Sequence, residues 1–178
     1  MANHVNTHIA FTINDDAKEY LQELTARMDE HKTFFSVLTE EEWTWEEQSE
    51  LIGPKWCYVE DHDEDSLMLC SAWDNPTQGI ENLMTLLTAV DENAKCYVTY
   101  EDEMPNFFGA YALEGIEILD ENHWEYDELI EYMESTIPEL KGKYNKEEEE
   151  WINDEANDLY SDLMYESISE LQNTVELI

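Results

Sequence analysis

Basic residues are scarce in this sequence. Eight Lys and Arg, with Arg27 the single arginine, stand against 45 Asp and Glu, and the formal net charge is −37 at pH 7 over 178 residues. Proteins that bind DNA or RNA neutralise phosphates with Lys and Arg, and anionic membranes attract the same residues. The composition therefore disfavours nucleic acid and an anionic membrane surface as direct ligands.

Glycine is also scarce, and the motifs that depend on it are missing. The chain has five glycines and contains no G-x-S-x-G, no Walker lysine loop and no G-x-G-x-x-G, the segments that expose a nucleophile or hold phosphates. Carboxylate pairs occur throughout, so no pair stands out as a general acid and base. We expect a non-enzyme with no catalytic residues and no cofactor.

Cysteines are few and long apolar runs are absent. The three cysteines, Cys57, Cys70 and Cys96, show no C-x-x-C spacing, which is typical of small buried side chains in a reducing compartment. No run of about 18 uncharged apolar residues is present to span a bilayer. The first residues lack the basic and apolar segments of a secretory signal. We expect a cytoplasmic protein.

Metal-binding patterns are incomplete. Asp61-x-Asp63-x-Asp65 has the opening spacing of an EF-hand loop, but Ser66 replaces the glycine of the sixth position and Ala72 replaces the bidentate glutamate of the twelfth. The histidines form no H-E-x-x-H pattern, and no cysteine pair has zinc spacing. We expect a solvated hairpin turn at 61–65 and no metal site.

Apolar residues, in contrast, are plentiful enough for a folded core. Hydrophobic residues make up 42% of the chain and aromatics 12%, whereas disordered acidic chains are poor in both. A charge excess of this size destabilises a compact state by self-repulsion, so we expect the field to have a use. A halophilic cytoplasm and a solvated surface without a binding role are the two alternative explanations.

Hydrophobic periodicity predicts the elements of an α+β fold. The predicted strands are 7–13, 55–61, 66–73, 95–100 and 107–119, with a short β-prone segment at 33–38. The predicted helices are 17–28, 77–90, 125–136 and 145–177, and residues 39–50 form either a helix or an acidic loop. The order of elements predicts an antiparallel sheet with helices packed on one face.

Four segments in the middle of the chain suggest a family. They are Gly53-Pro54-Lys55-Trp56, Ala72-Trp73-Asp74-Asn75-Pro76, Tyr100-Glu101-Asp102-Glu103 and Phe108-Gly109-Ala110-Tyr111. In this order they resemble the YubB-type ferredoxin-like proteins of phages and conjugative plasmids. The resemblance implies a ferredoxin-like sheet, a mobile-element origin and no defined activity. We expect a ferredoxin-like α+β domain at 1–138 and an acidic C-terminal helical extension at 139–178. Asn75 stands where that family usually has a second proline, and the final helix lies outside the family pattern.

Acidic residues recur every fourth position near the C-terminus. We name these five residues the acidic ladder: Asp154, Asp158, Asp162, Glu166 and Glu170. Four residues rise about 6 Å along a helix axis, which is close to the spacing of phosphates along a DNA strand. An ordinary solvent-facing helix surface is the alternative, but such surfaces usually mix charges of both signs.

The charge pattern favours a phage-type DNA mimic. By functional analogy with acidic phage anti-restriction proteins, it would bind a basic, DNA-binding host protein, such as a restriction enzyme, a nuclease or a nucleoid protein, and occupy its DNA cleft. The predicted contact residues are the acidic ladder with Glu147, Glu148, Glu149 and Glu150, and a second patch of Glu40, Glu41, Glu42, Glu46 and Glu47.

A protein–protein inhibitor or adaptor is the alternative function. It would act through apolar or aromatic surface, with Trp43 and Trp45 the predicted exposed pair, and the acidity would serve solubility alone. The apolar stripe of the final helix is equally suited to closing a homodimer.

Overall fold

The computed structural model of the chain describes residues 3–41, 44–103, 106–145, 147, 150–152 and 154–176. Within these residues the architecture is α+β, as predicted. The main sheet contains β1 (His4–Thr12), β2 (Cys57–His62), β3 (Ser66–Ala72), β4 (Lys95–Asp102), β5 (Phe107–Glu114) and β6 (Glu117–Glu125). The helices are α1 (Asp15–Thr25), α2 (Phe34–Leu38), α3 (Trp45–Ile52), α4 (Thr77–Thr88), α5 (Tyr126–Thr136) and α6 (Asp154–Glu176). A separate two-stranded hairpin contains β7 (Tyr144–Asn145) and β8 (Glu150–Trp151).

The sheet is antiparallel between all neighbouring strands, in the order β2-β3-β1-β4-β5-β6. Strand β3 lies between β1 and β2, the two strands that α1, α2 and α3 connect. Strand β1 in turn lies between β3 and β4, the two strands that α4 connects. Along β1, residues alternate between buried and exposed, as the period of two in the sequence predicts.

The main core lies between one face of the sheet and helices α1 to α4. Each helix contributes at least one fully buried apolar side chain: Leu21 and Leu24 from α1, Phe34 from α2, Ile52 from α3, and Leu83 and Leu87 from α4. Full burial of such a side chain contributes about 1.5–3 kcal/mol. This core holds the sheet together despite the self-repulsion of the surface charge.

A second core lies on the opposite face of the sheet, beneath α5 and α6. Phe108 and Trp124, which are paired across β5 and β6, pack there with Leu129 of α5 and Ala156 of α6. Tyr111 of β5, an odd number of residues from Phe108, points to the main core instead. The prediction of helices on one face therefore holds for α1 to α4 and is wrong for α5 and α6. The second core also joins side chains of the predicted domain 1–138 with side chains of the predicted extension 139–178.

The β-prone segment 33–38 forms a helix, so that prediction was wrong. Thr33 caps α2 through its side chain, which accepts a hydrogen bond from the N–H of Ser36, and Phe34 and Val37 are buried in the main core. Because three residues separate Phe34 from Val37, a helical turn places both side chains on the core side. The undecided segment 39–50 contains most of α3, which begins at Trp45.

Two further boundaries differ from the prediction. The segment 107–119 contains the whole of β5 and the start of β6, because Gly115 adopts a left-handed backbone with φ +58° and reverses the chain. The final helix begins at Asp154 instead of residue 145, because the β7–β8 hairpin occupies the intervening residues. Tyr144 and Trp151 pack edge to face across that hairpin, with ring centroids 5.3 Å apart.

Candidate functional site: an acidic surface on α6, α5 and β6

Four of the five ladder residues face solvent on α6. Asp154, Asp158, Asp162 and Glu166 are exposed. The opposite side of the helix packs on the second core through Ala156, Tyr160 and Leu163. Within the described residues, none of these four carboxylates forms an ion pair. The backbone of Glu170 continues α6 in the same helical register.

Like charges four residues apart destabilise an isolated helix by a few tenths of a kcal/mol per pair. Tertiary packing offsets this cost, because Ala156 is fully buried and Tyr160 contacts the ring of Tyr126 with centroids 5.1 Å apart. Burial first, and then the neighbouring Tyr126 phenol and Glu101 carboxylate, raise the pKa of the Tyr160 phenol above its usual range. The helix therefore rests on the sheet by an apolar side and presents its charge outward.

Glu147 and Glu150 precede α6 in the structure, so the predicted final helix does not include them. Glu147 is exposed in the turn of the β7–β8 hairpin, where its N–H donates to the side-chain oxygen of Asn145, and Glu150 lies in β8. Glu148 and Glu149 lie outside the described residues. A helix through 145–150 is excluded because the hairpin pairs Asn145 with Glu150.

The second predicted patch lies on the other side of the sheet. Glu40 and Glu41 follow α2, Glu46 and Glu47 open α3, and both helices belong to the main core. Glu42 lies outside the described residues. The fold does not bring this patch together with the ladder, since α6 packs on the opposite face.

Part of the second patch also has internal partners. Glu40 Oε1 lies 3.6 Å from Nε of Arg27. Glu47 Oε2 accepts hydrogen bonds from the N–H and the Oγ1–H of Thr44, at 2.9 and 2.8 Å. These two carboxylates stabilise the fold locally, so they are weaker candidates for partner contact than the ladder acids.

Acids that the sequence analysis did not select extend the surface next to α6. They lie on the edge strand β6 and on α5: Glu117, Asp120, Asp127, Glu128, Glu131 and Glu134. The signal that could have found them is the absence of any Lys or Arg between Lys95 and Lys141. Charge on an edge strand also prevents pairing with another chain, which is a structural role for the β6 acids.

An apolar groove separates α5 from α6 inside this acidic surface. Tyr132, Ile137, Leu159 and Leu163 line it together with ladder residue Asp162, and its volume is about 200 Å³. Tyr132 is 43% exposed and Leu159 is 37% exposed. A partner that binds the ladder therefore meets carboxylates and apolar surface side by side.

The predicted exposed tryptophan pair cannot be placed, because Trp43 and the side chain of Trp45 lie outside the described part. Trp73 is the tryptophan found at the surface in the described part, 51% exposed, with Nζ of Lys55 5.8 Å from its ring. The cysteines Cys57, Cys70 and Cys96 are buried and free, as expected.

The described residues contain neither a metal-binding cluster nor a membrane-spanning helix. Across the described ranges no group of three or more His, Cys, Asp or Glu side chains is placed to hold a metal ion. No helix in those ranges combines the length and apolarity that crossing a membrane requires.

Comparisons with known proteins give little further information. No family model matches the chain, and no curated protein matches it. A solved structure described as a protein api92 from Yersinia pseudotuberculosis, family model DUF1281, is similar over 50% of this chain and 33% of that chain, with 16% identity and a TM-score of 0.33. The chain thus spans about a third of the length of that protein. Similarity at this level assigns neither a family nor a function.

Proposed function

We propose that this protein is a phage-type acidic DNA mimic. It binds a basic host protein that acts on DNA, such as a restriction enzyme, a nuclease or a nucleoid protein, and inhibits it by occupying the DNA cleft. The supporting observation is that four ladder residues are exposed, form no ion pair within the described residues and lie beside the acids of α5 and β6; these four are Asp154, Asp158, Asp162 and Glu166. The protein acts without catalysis or cofactor, and in the cytoplasm.

The physical basis is electrostatic complementarity. A cleft that evolved to bind DNA concentrates an attractive field on any dense array of negative charge. Successive ladder acids rise about 6 Å but also turn about 40° around α6, so the row spirals away from a straight track. Acids of α5 and β6 widen the surface beyond that row, so no single residue needs to contribute most of the binding free energy. Fast association and a steep loss of affinity with salt are expected.

We also propose that strands β1 to β4 and their helices form a ferredoxin-like unit. The order β2-β3-β1-β4, with β3 and β1 each inserted between two connected strands, supports this proposal. Kinship with the YubB-type proteins of phages and conjugative plasmids remains a proposal that depends on the four sequence segments.

A second candidate function is a protein–protein inhibitor or adaptor that uses apolar surface. The groove between α5 and α6 favours it, because Tyr132 and Leu159 are exposed there and Tyr165 on α6 is 63% exposed. The same groove could close a homodimer. In this case the acidity contributes only solubility.

The test compares a variant in which four ladder acids are neutralised with a control variant in which four acids elsewhere are neutralised. The ladder variant carries Asp154→Asn, Asp158→Asn, Asp162→Asn and Glu166→Gln. The control variant carries Glu19→Gln, Glu23→Gln, Glu30→Gln and Glu92→Gln, which are exposed positions remote from α6. Each immobilised variant captures proteins from a bacterial lysate at low and high salt, and duplex DNA is then added as a competitor.

We expect the wild type and the control to capture a DNA-binding protein that both salt and DNA release. Four charge pairs at roughly 0.5 kcal/mol each amount to about 2 kcal/mol, so the ladder variant should bind about thirtyfold more weakly. Equal capture by both variants contradicts the proposal. Capture that resists high salt and is lost on Tyr132→Ser with Leu159→Ser supports the second candidate instead.

A further inference from the structure

A cleft lies on the main-core side of the sheet, between the start of α4 and strands β4, β5 and β6. Its volume is about 150 Å³, and the residues that line it include Asp74, Asn75, Tyr100, Tyr111 and His123. Three of the four segments that carry the family resemblance meet here, although 23 residues lie between the segment that ends at Pro76 and the segment that begins at Tyr100. The proposed DNA mimicry makes no use of this cleft.

A hydrogen-bonded asparagine forms the inner wall of the cleft. Asn75 is 6% exposed, and its Oδ1 accepts from Oγ1 of Thr7 at 3.0 Å. Its Nδ2 donates to Oγ1 of Thr77 at 3.0 Å and to the hydroxyl oxygen of Tyr111 at 3.1 Å. These bonds fix the Tyr111 ring in the wall, so the cleft has a defined shape before any ligand binds.

Two further rings complete an aromatic lining. The Tyr100 hydroxyl lies 2.8 Å from Nδ1 of His123, and Nε2 of His123 lies 2.9 Å from a carboxylate oxygen of Glu125. Ring centroids of Tyr100 and Tyr111 are 6.2 Å apart, and those of Tyr100 and His123 are 6.0 Å apart. Gly109 makes this arrangement feasible, because a Cβ there would collide with the Tyr100 hydroxyl and with the carbonyl oxygen of Asn122.

The charge around these rings is negative. Asp74, Glu81 and Glu121 line the cleft, and no Lys or Arg side chain of the described residues lines it. Burial first, and then Asp74, Glu121 and Glu125, raise the pKa of Tyr100 to about 12. The start of α4 would favour an anion, but it contributes a fraction of one charge against three carboxylates.

We propose that this cleft binds an organic cation, an alkylammonium or guanidinium group. The carboxylates supply the opposite charge, the tyrosine hydroxyls can accept hydrogen bonds, and the faces of aromatic rings attract cations. The volume suits a cationic head with a short alkyl stem. The group can come from a free amine or guanidine, or from a Lys or Arg side chain of a protein partner. The inference is independent of the DNA-mimic proposal, because the ladder lies on the opposite face.

The test is an NMR titration at pH 8 that follows the Hε1 resonance of His123. The probes are butylammonium and ethylguanidinium chloride for the free-ligand source, and N-acetyl-lysine amide and N-acetyl-arginine amide for the side-chain source. Sodium chloride at equal ionic strength measures the shift caused by salt alone. The site variant is Asp74→Asn with Glu121→Gln, and the control is Glu19→Gln with Glu23→Gln, which removes the same charge on α1.

We expect saturable binding of at least one probe to the wild type and the control, and about fivefold weaker binding to the site variant. Tyr100→Phe, which removes one hydroxyl and leaves the charge unchanged, should also weaken binding. Binding of the free cations alone identifies a small ligand, whereas equal binding of the amino acid amides identifies a partner side chain. A shift that rises linearly without saturation, or equally in both double variants, shows only attraction to an acidic surface and overturns the proposal.

Discussion

The ring of Phe34 lies directly against Gly79, where α2 meets the first turn of α4. A Cβ added to Gly79 would lie 2.7 Å from Cε1 of Phe34 and 3.2 Å from the backbone Cα of Ile52 in α3. Three helices therefore meet at a point that has no room for a side chain. This contact sets how closely α2, α3 and α4 pack above the sheet.

Gly79→Ala should destabilise the protein, although alanine is the better helix former. Replacing glycine by alanine inside a helix gains about 1 kcal/mol of helix propensity. Overpacking a filled core costs about 1–3 kcal/mol, and here the Ile52 backbone cannot move aside without shifting α3. We expect a net loss of up to about 2 kcal/mol in the free energy of unfolding, measured by urea denaturation.

The double variant with Phe34→Leu distinguishes the clash from a general effect at residue 79. If the ring is the obstacle, Gly79→Ala should cost less in the Phe34→Leu background, and the two changes should be non-additive. Additive costs would show that Phe34 does not limit the space at Gly79.

Glu47 should matter for stability more than its neighbour Glu46. The capping box of α3 depends on Glu47, whose carboxylate accepts from Thr44, while the Thr44 side chain accepts from the N–H of Glu47 at 3.2 Å. Glu47→Ala removes one half of this reciprocal pair, and loss of a cap costs about 0.5–2 kcal/mol. We expect a lower midpoint of thermal unfolding.

Glu46→Ala is the matched control, because Glu46 lies in the same helical turn and carries the same charge. It should lose only the weak attraction to the helix start, a few tenths of a kcal/mol. Equal midpoints for the two variants would refute the capping role and return Glu47 to the set of contact residues.

Sequence periodicity predicted the elements that bury one regular face. Strand β1, the β2–β3 hairpin and α4 were predicted within a few residues, because alternation or helical spacing marks their buried sides. Helix α2 could not be predicted in this way. Its five residues are β-prone, and the cap of Thr33 and the burial of Phe34 under α4 decide its conformation.

The features of the candidate site also divide into those that helical spacing predicts and those that depend on tertiary structure. Exposure of the ladder carboxylates followed from their helical spacing, whereas the ion pair of Glu40 with Arg27 and the capping role of Glu47 depend on tertiary structure. The cleft around Tyr100 and Tyr111 could not be predicted from the sequence either. Its residues come from separate strands, and only the sheet register brings them together.

Asp29 should make the stability depend on pH in the acid range. Burial alone would raise the pKa of its carboxyl, but hydrogen bonds from the N–H and Oγ1–H of Thr33 and from the N–H of His31 outweigh this effect and lower the pKa below its ordinary value. A lowered folded-state pKa adds stability that is present above the unfolded-state pKa and is lost as pH falls through the folded-state value.

Asp29→Asn should therefore lower the free energy of unfolding by a nearly constant amount above pH about 5. Hydrogen bonds to a charged group contribute about 1.5–3 kcal/mol, and asparagine keeps one acceptor, so we expect a loss of about 1–2 kcal/mol there. The difference in the free energy of unfolding between wild type and variant should become smaller as pH falls below about 4. Urea denaturation at micromolar concentration suits this range, because the sequence pI is about 4.1 and aggregation rises as the net charge vanishes. Glu30→Gln, at the exposed neighbouring position, is the control, and its difference from wild type should not change with pH in this way. A difference for Asp29→Asn that stays constant down to pH 3 would contradict the lowered pKa of Asp29.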